Sequence, residues 1–469
     1  MKILKVIWQW FDDRTGIVQL MGPLFNHPVP PKTGWWYVFG SATLFAFILQ
    51  VVTGIALSSS YITSTGEVYN SLQFITHQAF MGNILRGMHY FGSSAMVLLV
   101  GIHLIRVFLT GAFKFPREMN WLTGSVLLLL TVGMAFTGQL LRWDQNGVWT
   151  IIVGTEMAGR VPLIGNLLVN FILAGDTVGG ATLSRFFSFH VFFIPAVIFG
   201  ILGFHLYLVV RNGISEPAQA GEPVDPKTYR ARYQAILHEQ GVPFWPDVAW
   251  RDVVFGVLVV LAVILLAVII GAPELGKPPD PSIIVAYPRP DWYFLWYFAV
   301  LALIPPALET WIIIGGPLLL GAFLFLLPLV ANRGERHPLR RPWAVASILF
   351  IVLAVGVLWR LGVVAPWSPN FSAQPLPESV VGATSGPIYR GAQLFYEKGC
   401  EYCHTISGYG GQRGPNLTDV GSRLTANQMI IRIANGATNM PSFSNDFTPE
   451  QLNDLVSFLQ SRQSTVSQK

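Results

Sequence analysis

Residues 86–106 read RGMHYFGSSAMVLLVGIHLIR, a mostly apolar run long enough to cross a bilayer that carries His89 and His103, 14 positions apart. A second run at 185–205, RFFSFHVFFIPAVIFGILGFH, carries His190 and His205, 15 positions apart. At ~100° and ~1.5 Å per residue, each spacing keeps its pair within about 60° on one helix face, roughly 21–22 Å apart along the axis. Two such helices side by side offer two stacked sites, each with one imidazole from either helix. The pattern predicts bis-histidine ligation of two haem b groups, an electron path through the membrane. The plainer reading is a set of polar helix contacts. Intramembrane ionisable residues tend to be functional, however, and two matched pairs favour haem.

Flanking residues fit the same picture. Gly40 and Gly54 are 14 apart in one neighbouring apolar run, and Gly124 and Gly138 are 14 apart in another. They leave room for a porphyrin face or, alternatively, permit close helix packing. Arg86, Arg106 and Arg185 stand near the histidines, where they pair with haem propionates or anchor the headgroup boundary.

The whole chain agrees with a membrane setting. Of its 469 residues 52% are hydrophobic and only 12% charged, and mean hydropathy is +0.49, too apolar for a soluble protein of this size. Seven spans are expected, at 34–57, 88–110, 121–141, 186–210, 252–271, 309–331 and 343–364. The net charge of +5 is unevenly placed, so it speaks to topology and not to nucleic acid. Segments 106–117, 211–251 and 333–341 are rich in Arg and Lys, whereas 58–85 has neither. Positive loops stay inside, which predicts a cytoplasmic N-terminus and, after seven spans, an outer C-terminus. No cleavable signal is evident, so the first span is expected to insert the chain. The long outer connections 142–185 and 272–308, the latter with prolines from Pro273 to Pro306, are candidate functional segments.

After a Pro/Ser/Gly-rich linker at 366–386, residues 387–469 read as a separate soluble domain whose tail from Ser461 is expected to be disordered. Its Cys400-Glu401-Tyr402-Cys403-His404 contains the only two cysteines, which excludes a disulfide framework. C-x-x-C-H is the attachment motif of haem c, two thioethers with His404 as axial ligand. A redox cysteine pair or half a zinc site are the alternatives, and zinc would want further Cys or His ligands nearby. Met440, in Asn439-Met440-Pro441, is the candidate sixth ligand; its alternative is a packed core methionine. His27, His77, His238 and His337 read as solvated surface residues.

With these residues in view, 15–365 resembles cytochrome b of the cytochrome bc and bf complexes, and the C-terminal domain resembles small monohaem cytochromes c. The paired histidines and glycines match, as do Arg86 and Arg185. Pro290-Asp291-Trp292-Tyr293 resembles the family's Pro-Glu-Trp-Tyr signature with Asp in place of Glu. The resemblance implies an all-α membrane protein: a four-helix dihaem bundle at 1–212, a three-helix region at 213–365, and a small all-α cytochrome c domain. It implies an outer haem on His89 and His190, an inner haem on His103 and His205, and a quinol site between 142–165 and Pro290. There quinol oxidation sends one electron to a Rieske iron–sulfur protein and one through the b haems to an inner quinone site. Asp291 is the candidate proton acceptor with Tyr293 as its hydrogen-bonding partner; the alternative is that Asp291 only caps the following helix. The Asp variant points to menaquinol.

The 15-residue spacing and the three later spans lean toward the bf and Gram-positive type. That branch keeps the two halves as separate chains and binds an extra haem through a Cys in the first span, where Val38 stands here; the extra haem is therefore expected to be absent. A homodimer, a downstream cytochrome c or terminal oxidase, and a prokaryotic cell membrane complete what the resemblance implies. Two other classes stay open: a dihaem membrane anchor serving another dehydrogenase, and a haem sensor without a quinone pocket.

Overall fold

A computed structural model describes residues 2–280, 288–365, 367–368, 370, 373–436, 440, 442–444 and 446–463. Pro281, Pro366 at the head of the linker, Asn439 and Pro441 beside Met440, and the tail from 464 lie outside them. Among the described residues seven helices are long and apolar enough to cross a membrane: Phe39–Ser58, Gly82–Leu109, Glu118–Leu140, Gly180–Asn212, Ala249–Ile269, Ala307–Val330 and Pro342–Val364. Each overlaps an expected span. The second and fourth begin about a turn or more earlier than hydropathy suggests, because polar residues such as Arg86 and Arg185 continue the helix beyond its apolar stretch. The first begins later, after a short 3-10 turn at Trp35–Tyr37.

The chain divides into two compact units, Met1–Phe294 with Ile304–Gly356, and Leu295–Leu303 with Val357–Lys469. In the first unit, Ala42, Ala46 and Phe47 of the first span pack with Met96 and Leu99 of the second and Ile198 of the fourth. Lipid is as apolar as these side chains, so close contact through small residues drives such packing. Gly87 of the second span shows it: an added Cβ would lie 3.1 Å from Ala267 Cβ of the fifth.

The connection 213–250 is an ordered element. It contains helix Tyr229–Gln240 and pairs Val242–Pro243 with Pro28–Val29. Buried Arg117 donates to the Tyr229 hydroxyl (2.6 Å), which donates to Glu216 (2.7 Å), and Glu216 also takes Arg336 (2.6 Å). Because every charge here has a partner, the cost of burial is offset and the connection is fixed to the spans.

In the second unit, helix Gly386–Glu397 crosses helix Pro449–Gln460 so closely that a Cβ on Gly391 would lie 2.1 Å from the Asp454 carbonyl oxygen. Arg390 clamps Asp454 with two bonds of 2.7 and 2.9 Å, and Phe395, Phe458, Leu455 and Ile406 form the core. Burying each such side chain stabilises the domain by about 1.5–3 kcal/mol. Thr448 and Gln451 cap the last helix reciprocally.

Candidate functional site

The four intramembrane histidines sit opposite the four glycines, one to one. An added Cβ on Gly40 would lie 3.0 Å from His103 Cε1, on Gly54 3.2 Å from His89 Cε1, on Gly124 3.5 Å from His205 Cε1, and on Gly138 2.7 Å from His190 Cε1. The glycines therefore admit the imidazoles.

A threonine precedes three of these glycines, and each one meets the same ring. Thr53 Oγ1 lies 2.9 Å from His89 Nδ1, Thr123 Oγ1 2.8 Å from His205 Nδ1, and Thr137 Oγ1 3.0 Å from His190 Nδ1. Each hydroxyl already donates to a carbonyl one turn back: Leu49, Met119 and Gly133. Its oxygen is left to accept from the imidazole Nδ1–H. That bond fixes the tautomer with Nε2 free, the form a metal needs. The Thr-Gly pairs at 53–54, 123–124 and 137–138 are visible in the sequence, yet attention to the glycines alone misses the threonines.

The two ligand spacings become equivalent in three dimensions. Phe189–Phe193 forms a π-turn around His190, with the Ile194 N–H bonded back to the Phe189 carbonyl. One residue is absorbed by the wider turn. Fifteen residues then advance as fourteen do in the second span, and both pairs present the same angular offset. His89 and His190 face each other with ring centroids 6.2 Å apart. Two imidazole–metal bonds of ~2 Å plus two ring radii of ~1.2 Å need roughly 6.4 Å, so the donor set fits a haem iron between them.

The arginines differ from one another. Arg106 stacks on Tyr37 at 3.7 Å and keeps buried Nε and Nη2 without a partner among the described residues, an orphaned cation that suits an anionic propionate. Arg86 is 9% exposed and donates to Thr76 Oγ1 at 2.9 Å. Arg185 donates from Nη1 to the Asn170 and Phe171 carbonyls.

Residues around 142–165 and Pro290–Tyr293 meet. Helix Gln145–Gly159 starts at Asp144, which is 3% exposed, takes the Gly147 N–H, and also binds the Gly276 N–H. Asn146 holds Arg289 through both backbone groups, at 2.9 and 3.0 Å. Gln139, next to Gly138, accepts the Asp291 N–H at 3.2 Å. Asp291 Oδ2 receives the Tyr293 hydroxyl at 3.0 Å, Asp291 Oδ1 lies 3.8 Å from Arg142, and Trp292 donates to Ser94. Asp291 makes contacts well beyond a helix cap. Asn146, Gln139 and Arg142 escape sequence reasoning because nothing local marks them. A cleft lined by Trp143, Trp149, Glu156 and Asp280 opens along the same helix and does not include Asp291.

In the second unit Cys400, His404 and Met440 line one apolar cleft with Phe395, Leu417, Phe443 and Leu459. His404 donates from Nδ1 to the Pro415 carbonyl at 2.9 Å, and Gly414 lies flat on its ring. Burial holds His404 below the ordinary imidazole value, so neutral and able to ligate. Burial pushes the Cys400 thiol up to about 12 and raises Cys403. A redox-active C-x-x-C pair needs a depressed thiol, so this pocket disfavours that alternative. Of the other histidines, His77 pairs with Glu274 at 3.5 Å, while His27 and His337 are half-buried, not fully solvated.

Comparison with known proteins finds relatives for both parts of the chain. Residues 94–278 match the family model "Cytochrome b(N-terminal)/b6/petB", 278–376 match "Cytochrome b(C-terminal)/b6/petD", and 387–459 match "Cytochrome C oxidase, cbb3-type, subunit III". The menaquinol:cytochrome c reductase cytochrome b subunits of Geobacillus thermodenitrificans and Bacillus subtilis are each 36% identical over 224 residues, 46% of this chain and 100% of theirs. Cytochrome b6 of Heliobacterium modesticaldum is 39% identical over 210 residues, 44% of this chain and 99% of its own. A solved hyperthermophilic respiratory Complex III chain superposes with a TM-score of 0.64 at 25% identity, over 76% of this chain and 91% of that one. The chain thus belongs to the cytochrome b family of quinol:cytochrome c oxidoreductases, with a cytochrome c domain at its C-terminal end.

Proposed function

We propose that the chain oxidises quinol, probed first as menaquinol, on the outer side of a prokaryotic cell membrane. The N-terminus is cytoplasmic and the cytochrome c domain lies outside, as the Arg- and Lys-rich segments 106–117, 211–251 and 333–341 favour. Two non-covalent b haems are held by His89 with His190 and by His103 with His205, and one haem c is held by Cys400, Cys403, His404 and Met440. When bound, these groups supply one-electron transfer. The quinol's two electrons diverge, one to a Rieske partner and onward to haem c, the other across the b haems to an inner quinone site. The working unit is a homodimer that passes electrons to a downstream cytochrome c or terminal oxidase.

The observation that carries this reading is the Asp291–Tyr293 pair, tied through Gln139 to the end of the third span beside His190. A carboxylate and a phenol held together offer an acceptor and a relay for the protons that quinol must shed. Arg142, Gln139 and Asn146 hold the pair in place. The test is quinol-dependent reduction of the b haems by the purified complex. Asp291→Asn should slow it by about 10²–10⁴-fold, the usual contribution of a general base, with both b haems retained. A parental rate would refute the role of Asp291.

A further inference from the structure

Arg142 lies just past the end of the third span, four residues beyond the glycine that receives the His190 ring. Its Nη1 lies 3.8 Å from Asp291 Oδ1, and the two side chains are only 25% and 19% exposed. Its Nε is buried and has no partner among the described residues. Leaving a buried donor unpaired is costly, the more so on a charged group, so an acceptor is called for. Arg86 is close enough to repel it, with Asp144 and Glu274 the nearby acids. Two guanidiniums gathered at the outer end of the dihaem bundle, one of them with an unspent donor, describe a site for a carboxylate.

We propose that Arg142 is a positioning residue of the outer quinol site, shared between the Asp291 carboxylate and the carboxylate edge of the outer haem. One nitrogen holds Asp291 with its second oxygen turned to Tyr293, and another takes a haem propionate. The proposal rests on the reading of Asp291 as proton acceptor given above. Arg142 touches neither quinol nor iron in this account and acts through the groups it orients.

The test compares Arg142→Gln, Arg142→Lys and Asp291→Asn in the purified complex, with haem content checked optically. Two readouts are taken: the reduction equilibrium of each b haem by potentiometric titration, and kcat with KM for quinol. Removing the cation should shift the outer haem toward its oxidised form by about threefold or more, about 28 mV at 59 mV per tenfold, and leave the inner haem unmoved. In the same variant kcat should fall about tenfold or more with KM within about twofold, the mark of a misplaced reacting group. Arg142→Lys should recover part of both. An outer haem equilibrium unmoved in Arg142→Gln, or kcat within about twofold of the parent, overturns the proposal. Asp291→Asn separates the two claims. A parental rate there removes the proton-acceptor reading itself, whereas an impaired Asp291→Asn beside an unaffected Arg142→Gln removes the role of Arg142 alone.

Discussion

Replacing the threonines behind the histidines should retune the two b haems separately. Thr53 accepts from His89 at 2.9 Å and Thr137 from His190 at 3.0 Å, while Thr123 accepts from His205 at 2.8 Å. An accepted Nδ1–H makes an imidazole more basic and favours the ferric state. Valine has the same shape as threonine and no acceptor. A net hydrogen bond is worth about 0.5–1.5 kcal/mol. If about half of that is specific to the ferric state, each loss raises the potential by roughly 10–30 mV, since 59 mV is a tenfold change for one electron. Thr53→Val and Thr137→Val act on opposite ligands of one site. The double variant should therefore raise the outer haem by roughly 20–60 mV and leave the inner haem in place. Thr123→Val should move only the inner haem. Potentiometric titration of the b-haem absorbance resolves the two steps. A double variant that shifts both haems equally, or the inner haem alone, would refute the pairing of His89 with His190.

Other consequences are more local. Gly138→Val sets a side chain against His190, 2.7 Å from where even a Cβ would stand, so the purified variant should lose the outer haem and keep the inner one by optical quantification. Deleting Phe192 removes the extra residue of the π-turn and leaves a 14-residue spacing, so both b haems should be retained; loss of the outer haem would show that the π-turn is needed for more than register. Gly391→Val drives a side chain into the Asp454 backbone, and overpacking of this kind costs about 1–3 kcal/mol or more, so haem c incorporation should fall while b haem content holds. Glu401 is fully buried, and burial raises its carboxyl to about 7. The folded domain then keeps a proton that the unfolded chain releases above its ordinary 4.5, so stability is lost as pH rises from there to about 7. Glu401→Gln should flatten that dependence in thermal unfolding followed at the haem c absorbance, and an unchanged pH profile would contradict it.

Much of this molecule is legible locally. The paired histidines, the apolar spans and the Cys400–His404 motif each announce themselves because ligand spacing and helix period are properties of a single segment. The glycine spacing is legible too, although only the assembled bundle shows Gly138 against His190 and Gly40 against His103. What stays hidden depends on distant segments meeting. Gln139 and Asp291 are 152 positions apart, and Arg117 and Tyr229 are 112 apart, and no periodicity links them. The π-turn is hidden for a different reason. Phe189–Phe193 is as apolar as any α-helical stretch, so hydropathy carries no trace of the wider turn. Position beside a ligand helix also says nothing of where a long side chain turns, as with Arg185, whose Nη1 meets the Phe171 carbonyl.

A membrane path of two b haems joined to one covalent haem c can be counted by pyridine-haemochrome quantification combined with a redox titration of the purified protein. Two b haems at separate potentials are expected, with one haem c that stays with the chain after acid–acetone extraction. A single b haem would contradict the paired-histidine argument and the transmembrane path with it, and an extractable third haem would contradict the reading of the Cys400–His404 cleft.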